Sequence, residues 1–191
     1  MKILHTADWH LGKKLDRFSR IEEQRAVMEE IVQIADAQKV DVVIIAGDLF
    51  DNFTPNTDAI ELFYKTIKQL SLGGRRPVVA ISGNHDAPKL IDAPDPLARE
   101  CGIFLIGQPF ALVTPIETQD FKITHSSAGF IELQLASFPY PLRIIHTAYA
   151  NEPRLREELE GDKQLAINQF LSDKWQALAQ EYCDSKGVNI L

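Results

Sequence analysis

Short apolar runs and amphipathic stretches alternate through the first hundred residues of this 191-residue chain. The first run, Lys2 to Thr6, stops abruptly at Ala7-Asp8 and has the length of a strand. From about Ser19 to Gln38, Ile21, Met28, Ile31 and Ala35 recur at steps of three, four and seven, on one face of a helix with acidic residues opposite. Val40 to Ala46 reads Val-Asp-Val-Val-Ile-Ile-Ala, too short for a helix and mostly β-branched, as in a parallel strand covered on both faces. Gly47-Asp48 ends it. Thr57 to Leu72 repeats Ile60, Phe63, Ile67 and Leu70 at helical spacing and closes at Gly73-Gly74. Pro77 to Ile81 makes a third strand that breaks at Ser82-Gly83, Pro94 and Pro96 suit the first turn of a short helix ending near Cys101-Gly102, and Ile103 to Ile106 makes a fourth strand.

The motif-bearing part is therefore βαβαβ. From Gln108 to His146 the pattern shifts to short alternating runs such as Ile131-Glu132-Leu133-Gln134-Leu135, which predict antiparallel strands and a second sheet. Glu152 to Lys186 is strongly helical, with a break near Gly161-Asp162 and a buried face marked by Leu171, Leu178 and Tyr182. Gly187 terminates it, and Val188-Asn189-Ile190-Leu191 begins another buried strand. No internal repeat or low-complexity segment interrupts this reading, and a single domain is expected.

Composition changes the picture little: 45% hydrophobic and 25% charged residues suit a globular domain able to bury a core. The start lacks the h-region of a signal peptide, no stretch reaches transmembrane length, and the two cysteines, Cys101 and Cys183, form no CxxC pattern. A cytoplasmic location without membrane association is expected. The net charge of -7 offers a polyanion no global attraction, so contact with nucleic acid must be local or mediated by metal.

The chemistry gathers in three loops: Asp8-Trp9-His10 after the first strand, Gly47-Asp48-Leu49-Phe50-Asp51 after the second, and Gly83-Asn84-His85-Asp86 after the third. Each lies at a strand's carboxyl end, the end that faces the ligand crevice of an open α/β sheet. Carboxylate, imidazole and amide oxygen without thiolate suit borderline or hard divalent ions such as manganese, iron or zinc, and the donors alone do not choose among them. Gly-Asp is commonly only a turn, Asn-His-Asp an exposed loop and Asp8 a helix cap. Their shared placement after successive strands carries the functional reading instead. Two ions roughly 3.5–4 Å apart can hold a phosphate in line and stabilise attacking and leaving oxygens. His85 offers an imidazole as proton donor or charge stabiliser, and Asp51 could hold its other nitrogen.

This set resembles the calcineurin-like metallophosphoesterase superfamily, whose motifs run D-x-H, GD-x-x-D and GN-H-[DE], then a lone histidine and GH-x-H. The resemblance implies an α/β fold, an α/β/β/α sandwich of two packed mixed sheets flanked by helices. It also implies that Asp8, His10 and Asp48 bind one ion, Asp48 and Asn84 the other, and Asp51 orients His85. The runs Lys-Ile-Leu-His-Thr-Ala-Asp-Trp-His-Leu-Gly and Ala-Gly-Asp-Leu-Phe-Asp are similar to a branch of DNA nuclease subunits. That branch implies two manganese ions, DNA ends and hairpins as substrate, an SMC-like ATPase partner and a homodimer within a heteromeric complex. The lone histidine and GH-x-H do not occur before Leu191. Residues 1–191 are accordingly expected to form the front of a longer nuclease domain, without DNA-capping or ATPase-docking regions and with little activity alone.

Two other functions stay open: a phosphodiesterase acting on cyclic nucleotides or nucleotides, since the metal motifs do not encode substrate size, and a non-catalytic scaffold. His5, in the first strand, reads as a core or edge histidine, and His125 and His146 read as structural or surface residues. Lys13, Lys14, Arg17 and Arg20 form a basic stretch close enough to the metal motif to meet a phosphate backbone, or else a solvated loop and helix start. Phe138-Pro139-Tyr140-Pro141 reads as a turn with packed aromatics.

Overall fold

The computed structural model describes residues 1–157 and 161–191. It divides into two compact units, Met1–Gly107 and Gln108–Leu191. In the first unit, strands β1 (Ile3–Thr6), β4 (Val42–Ala46), β5 (Val78–Ile81) and β6 (Ile103–Ile106) form a wholly parallel sheet in the order β1-β4-β5-β6. Val42, Val43, Ile44 and Ile45 are all buried, as a central parallel strand with both faces covered requires. His5 lies exposed on the edge strand β1.

Helix α1 (Ile21–Ala37) buries Met28 and Ala35, and α2 (Thr57–Leu70) buries Ala59, Leu62, Phe63, Ile67 and Leu70. Asn56 starts α2 by accepting the Ala59 N–H at 2.8 Å, satisfying one of the helix's unpaired donors. Phe63 then packs edge-on against Trp9 and Phe50, which follow β1 and β4 in the chain. Those two aromatics tie the loops that carry the candidate chemistry into the core.

Three short elements escaped the hydrophobic pattern. A hairpin of β2 (Lys14–Leu15) and β3 (Phe18–Ser19) occupies the basic stretch, and α3 (Pro88–Asp92) follows the third loop. The Pro94/Pro96 segment is split between α4 (Asp95–Ala98) and a 3-10 turn, Arg99–Cys101, closed by Gly102.

In the second unit, β7 (Phe121–Ser127), β8 (Phe130–Leu135) and β9 (Leu142–Ile145) are antiparallel, and β10 (Val188–Ile190) adds to β9 in parallel. Helices α5 (Glu152–Leu155) and α6 (Lys163–Tyr182) fall within the predicted helical stretch, whose residues 158–160 lie outside those described. The expected buried face of α6 is only half-buried at Leu171, Leu178 and Tyr182, and Val188 and Ile190 of β10 are likewise half-buried. Arg143 of β9 joins this unit internally, donating to Glu132 at 2.7 Å and Asp184 at 2.5 Å. No helix among the described residues is long and apolar enough to cross a membrane.

His146 is 3% exposed, and among the described residues neither ring nitrogen has a hydrogen-bond partner. Burial pushes its pKa down from 6.5 to about 4, because the charged form loses its hydration. An unfolded chain therefore takes up a proton in this window that the folded chain refuses. The stability contributed by neutral His146 is complete above pH 6.5 and is lost as pH falls toward 4, on the order of 3 kcal/mol in all. Urea unfolding of His146→Leu between pH 4 and 7 should show a flatter acid limb than the parent; an identical slope contradicts this assignment.

Candidate metal centre

Because β1, β4 and β5 run parallel, the loops that follow them emerge along one edge of the sheet. Main-chain hydrogen bonds continue past the strands and fix those loops to one another. Asp8 N–H donates to Gly47 O at 3.1 Å, His10 N–H to Asp48 O at 2.9 Å, and Leu11 N–H to Leu49 O at 3.1 Å. Asp51 N–H returns to Leu11 O, and Gly47 N–H reaches Ile81 O, each at 3.1 Å.

The ladder continues through unusual backbone. Asp8, His10 and Asp48 have φ of 55°, 44° and 46°, beside Gly47 at 87°. Left-handed conformations outside glycine are uncommon, and Asp and His are among the residue types that adopt them most readily. Three such residues within the two loops mark backbone strain maintained by the surrounding contacts.

The result is two overlapping groups of ligand atoms that share His10. Asp8, His10 and Asp48 offer atoms within 4.8 Å of one another, as do His10, Asp51 and His85. His10 Nε2 lies 3.6 Å from Asp48 Oδ2 and 4.0 Å from Asp8 Oδ1, while Nδ1 lies 3.6 Å from Asp51 Oδ1. The His10 and His85 rings meet edge to face with centroids 4.9 Å apart. Asp48 is buried, Asp8 and Asn84 are exposed, and Asn84 sits between Gly83 and His85 on the third loop.

His85 is held at two points. Its main-chain N–H donates to Asp48 Oδ1 at 3.0 Å, and its Nδ1 lies 2.8 Å from the Asp51 main-chain oxygen. A carbonyl can only accept, so Nδ1 carries the proton and Nε2 is left to take or give one. Asp51 thus meets His85 through its backbone, while its carboxylate faces His10 and Lys13, whose Nζ is 3.6 Å away.

Two positioning residues lay hidden in the sequence. Asp86, fully buried, accepts N–H groups from Leu49 at 3.0 Å, Phe50 at 2.9 Å and Gly83 at 2.7 Å, joining the second loop to the third. The motif contained Asp86 but gave it no task. Gln24 of α1 accepts from Gly12 N–H at 2.9 Å and donates to His10 O at 2.7 Å, bracing the first loop. Only its position one turn into a helix that follows the first loop could have signalled this.

The calcineurin-like phosphoesterase family profile matches residues 1–179. The chain is 42% identical to the SbcD subunit of nuclease SbcCD from Bacillus subtilis over 159 residues, 83% of this chain and 36% of that relative. It is 39% identical to the protein of the same name from Rhodobacter capsulatus over 108 residues, 56% of this chain and 27% of the relative. The Staphylococcus saprophyticus protein of that name is 42% identical over 92 residues, 48% of this chain and 24% of the relative. The chain thus spans about a third or less of the length of these curated relatives. With a match covering nearly all of it, and with the three strand-end loops in place, the chain belongs to the calcineurin-like phosphoesterase family.

Proposed function

We propose that residues 1–191 form part of the nuclease domain of a two-metal DNA exo/endonuclease subunit that processes DNA ends and hairpins in repair and recombination. In this reading it works as a homodimer with an SbcC-like SMC ATPase. The observation that carries the reading is the convergence of Asp8, His10 and Asp48 on one point, with His85 beside it. The similarity to the SbcD subunits of nuclease SbcCD supports DNA as the substrate.

The residues present fit divalent ions. His10 Nε2 faces the carboxylates of Asp8 and Asp48 at 4.0 and 3.6 Å, and the side-chain donors of this group are oxygen and nitrogen only. Asp8, His10 and Asp48 would hold one ion, and Asp48 with the neutral amide of Asn84 would contribute to a second; manganese is the expected metal. Bound there, the ions supply positive charge against the phosphate oxygens. The chain's own groups do the remaining work. Asp51's carbonyl orients the His85 ring, and Nε2 of that ring moves a proton at the leaving oxygen. Asp86 and Gln24 hold the ligand loops in register.

Assaying the full-length protein on hairpin DNA and on a cyclic nucleotide, with and without Mn²⁺, tests the assignment. Mn²⁺-dependent cleavage of the hairpin is expected, whereas turnover of the cyclic nucleotide alone would replace this reading with the small-substrate one. Lys13 and Lys14 are proposed to touch phosphates. Lys13→Ala/Lys14→Ala should reduce the salt slope of DNA binding by about one for each phosphate that these lysines neutralise. An unchanged slope removes them from the interface.

A further inference from the structure

The β2–β3 hairpin presents an apolar pair to solvent where folding gives no reason for it. Leu15 and Phe18 are directly opposite in the ladder and are 69% and 64% exposed. A two-residue ladder gains little stability of its own, and its cross-strand apolar pair is left largely uncovered. The Arg17 guanidinium lies over the Phe18 ring, 5.4 Å from its centroid. Residues 13–20 carry Lys13, Lys14, Arg17 and Arg20 against a single acid, Asp16, in a chain whose net charge is -7. Arg20 is paired with Glu23 at 2.6 Å, while Lys14 and Arg17 form no ion pair among the described residues.

The base of the hairpin is fixed beside the metal loops. Lys13 Nζ lies 3.6 Å from Asp51 Oδ1, and Gly12 is held by Gln24. A partner seated on the hairpin must therefore offer a flat apolar surface flanked by negative charge, and must reach the ligands of the first loop. A nucleobase at a strand terminus, with its phosphates on either side, meets all three requirements. Every base has a π-face, so stacking on an aromatic ring is tolerant of sequence, and an arginine above the ring strengthens it.

We infer that the hairpin is a stacking element for the terminal base of a DNA end, with Phe18 as the platform, Leu15 as its apolar flank, and Lys14 and Arg17 on the adjoining phosphates. This rests on the nuclease reading and adds to it the residues that hold the terminal base. An anionic lipid surface also suits a basic hairpin with apolar residues, and the vesicle arm of the test separates it from a DNA end.

The test uses the full-length protein with divalent ions chelated, so that binding is read without cleavage. Affinities are measured for a linear duplex with frayed ends, for closed circular DNA and for phosphatidylserine vesicles. The parent is expected to prefer the linear duplex; Phe18→Ala should weaken end binding about 5- to 100-fold while changing affinity for the closed circle less than about twofold. Phe18→Trp should restore the preference. An unchanged end preference in Phe18→Ala overturns the stacking role and leaves the nuclease reading standing. Loss confined to vesicle binding assigns the hairpin to a lipid surface and overturns it equally. Failure of the parent to bind either DNA overturns the inference, and the cleavage assay with Mn²⁺ decides the nuclease reading separately.

Discussion

Replacing Gly83 by alanine is expected to abolish divalent-ion binding at Asp48 and to destabilise the fold by about 3 kcal/mol or more. A Cβ at this position would stand 2.0 Å from Asp48 Oδ1, 2.7 Å from its Cγ and 2.2 Å from its backbone nitrogen. A rotamer change could move the carboxylate aside, at the loss of the ligand position. The amide nitrogen has no such freedom, because the adjoining peptides are locked by His10 N–H on Asp48 O and Asp8 N–H on Gly47 O. The double variant Gly83→Ala/Asp48→Ala should therefore regain little stability. Urea unfolding and calorimetric titration with Mn²⁺ check both parts. A Gly83→Ala protein with the parent's unfolding midpoint would show that the second and third loops do not touch in this way.

The second large effect belongs to Asp86. Truncation to alanine withdraws the acceptor from three buried N–H groups at once, each worth about 1–3 kcal/mol when orphaned. A loss of about 4 kcal/mol is expected, allowing for water entering the gap. Asp86→Asn is the sharper experiment. It keeps the volume and one acceptor oxygen but turns an NH₂ toward a donor, so about half the loss should remain. Because the carboxylate joins the loops carrying Asp48 and Asn84, Mn²⁺ affinity should also fall about 10- to 100-fold, as when a group supporting a ligand is removed. Asp86→Asn with parental stability and metal affinity would assign the three N–H groups to other acceptors.

The sheet and its loops were legible for a simple reason. Parallel strands covered on both faces are unbroken apolar runs, and Val40 to Ala46 can hardly be read otherwise. Each run stops at a short polar motif, so Asp8, Asp48 and Asn84 announce themselves by position. What stayed hidden has no periodicity. β2 and β3 are two residues each, shorter than any repeat, and α3 spans only Pro88–Asp92. The amphipathic signal of α6 pointed to the correct residues but overstated their burial, since the helix packs Leu171, Leu178 and Tyr182 only partly away from solvent. Asp86 and Gln24 act through backbone amides and carbonyls of distant residues. Nothing in the composition of a loop or a helix surface records such partners. His146 read only as a structural or surface histidine because burial, which sets its chemistry, is a property of the folded unit.

The left-handed backbone at Asp8, His10 and Asp48 sets the proposed metal centre against the stability of its own scaffold. Glycine would occupy each of these positions with less strain, and at Asp8, whose side chain is 71% exposed, it would remove no packing. Asp8→Gly should accordingly raise the unfolding free energy by up to about 1 kcal/mol, measurable in the absence of metal, while weakening the ion site. Selection for thermal robustness alone would erode the proposed centre at Asp8, so a stabilised descendant of the chain that retains Asp8 has been kept for chemistry.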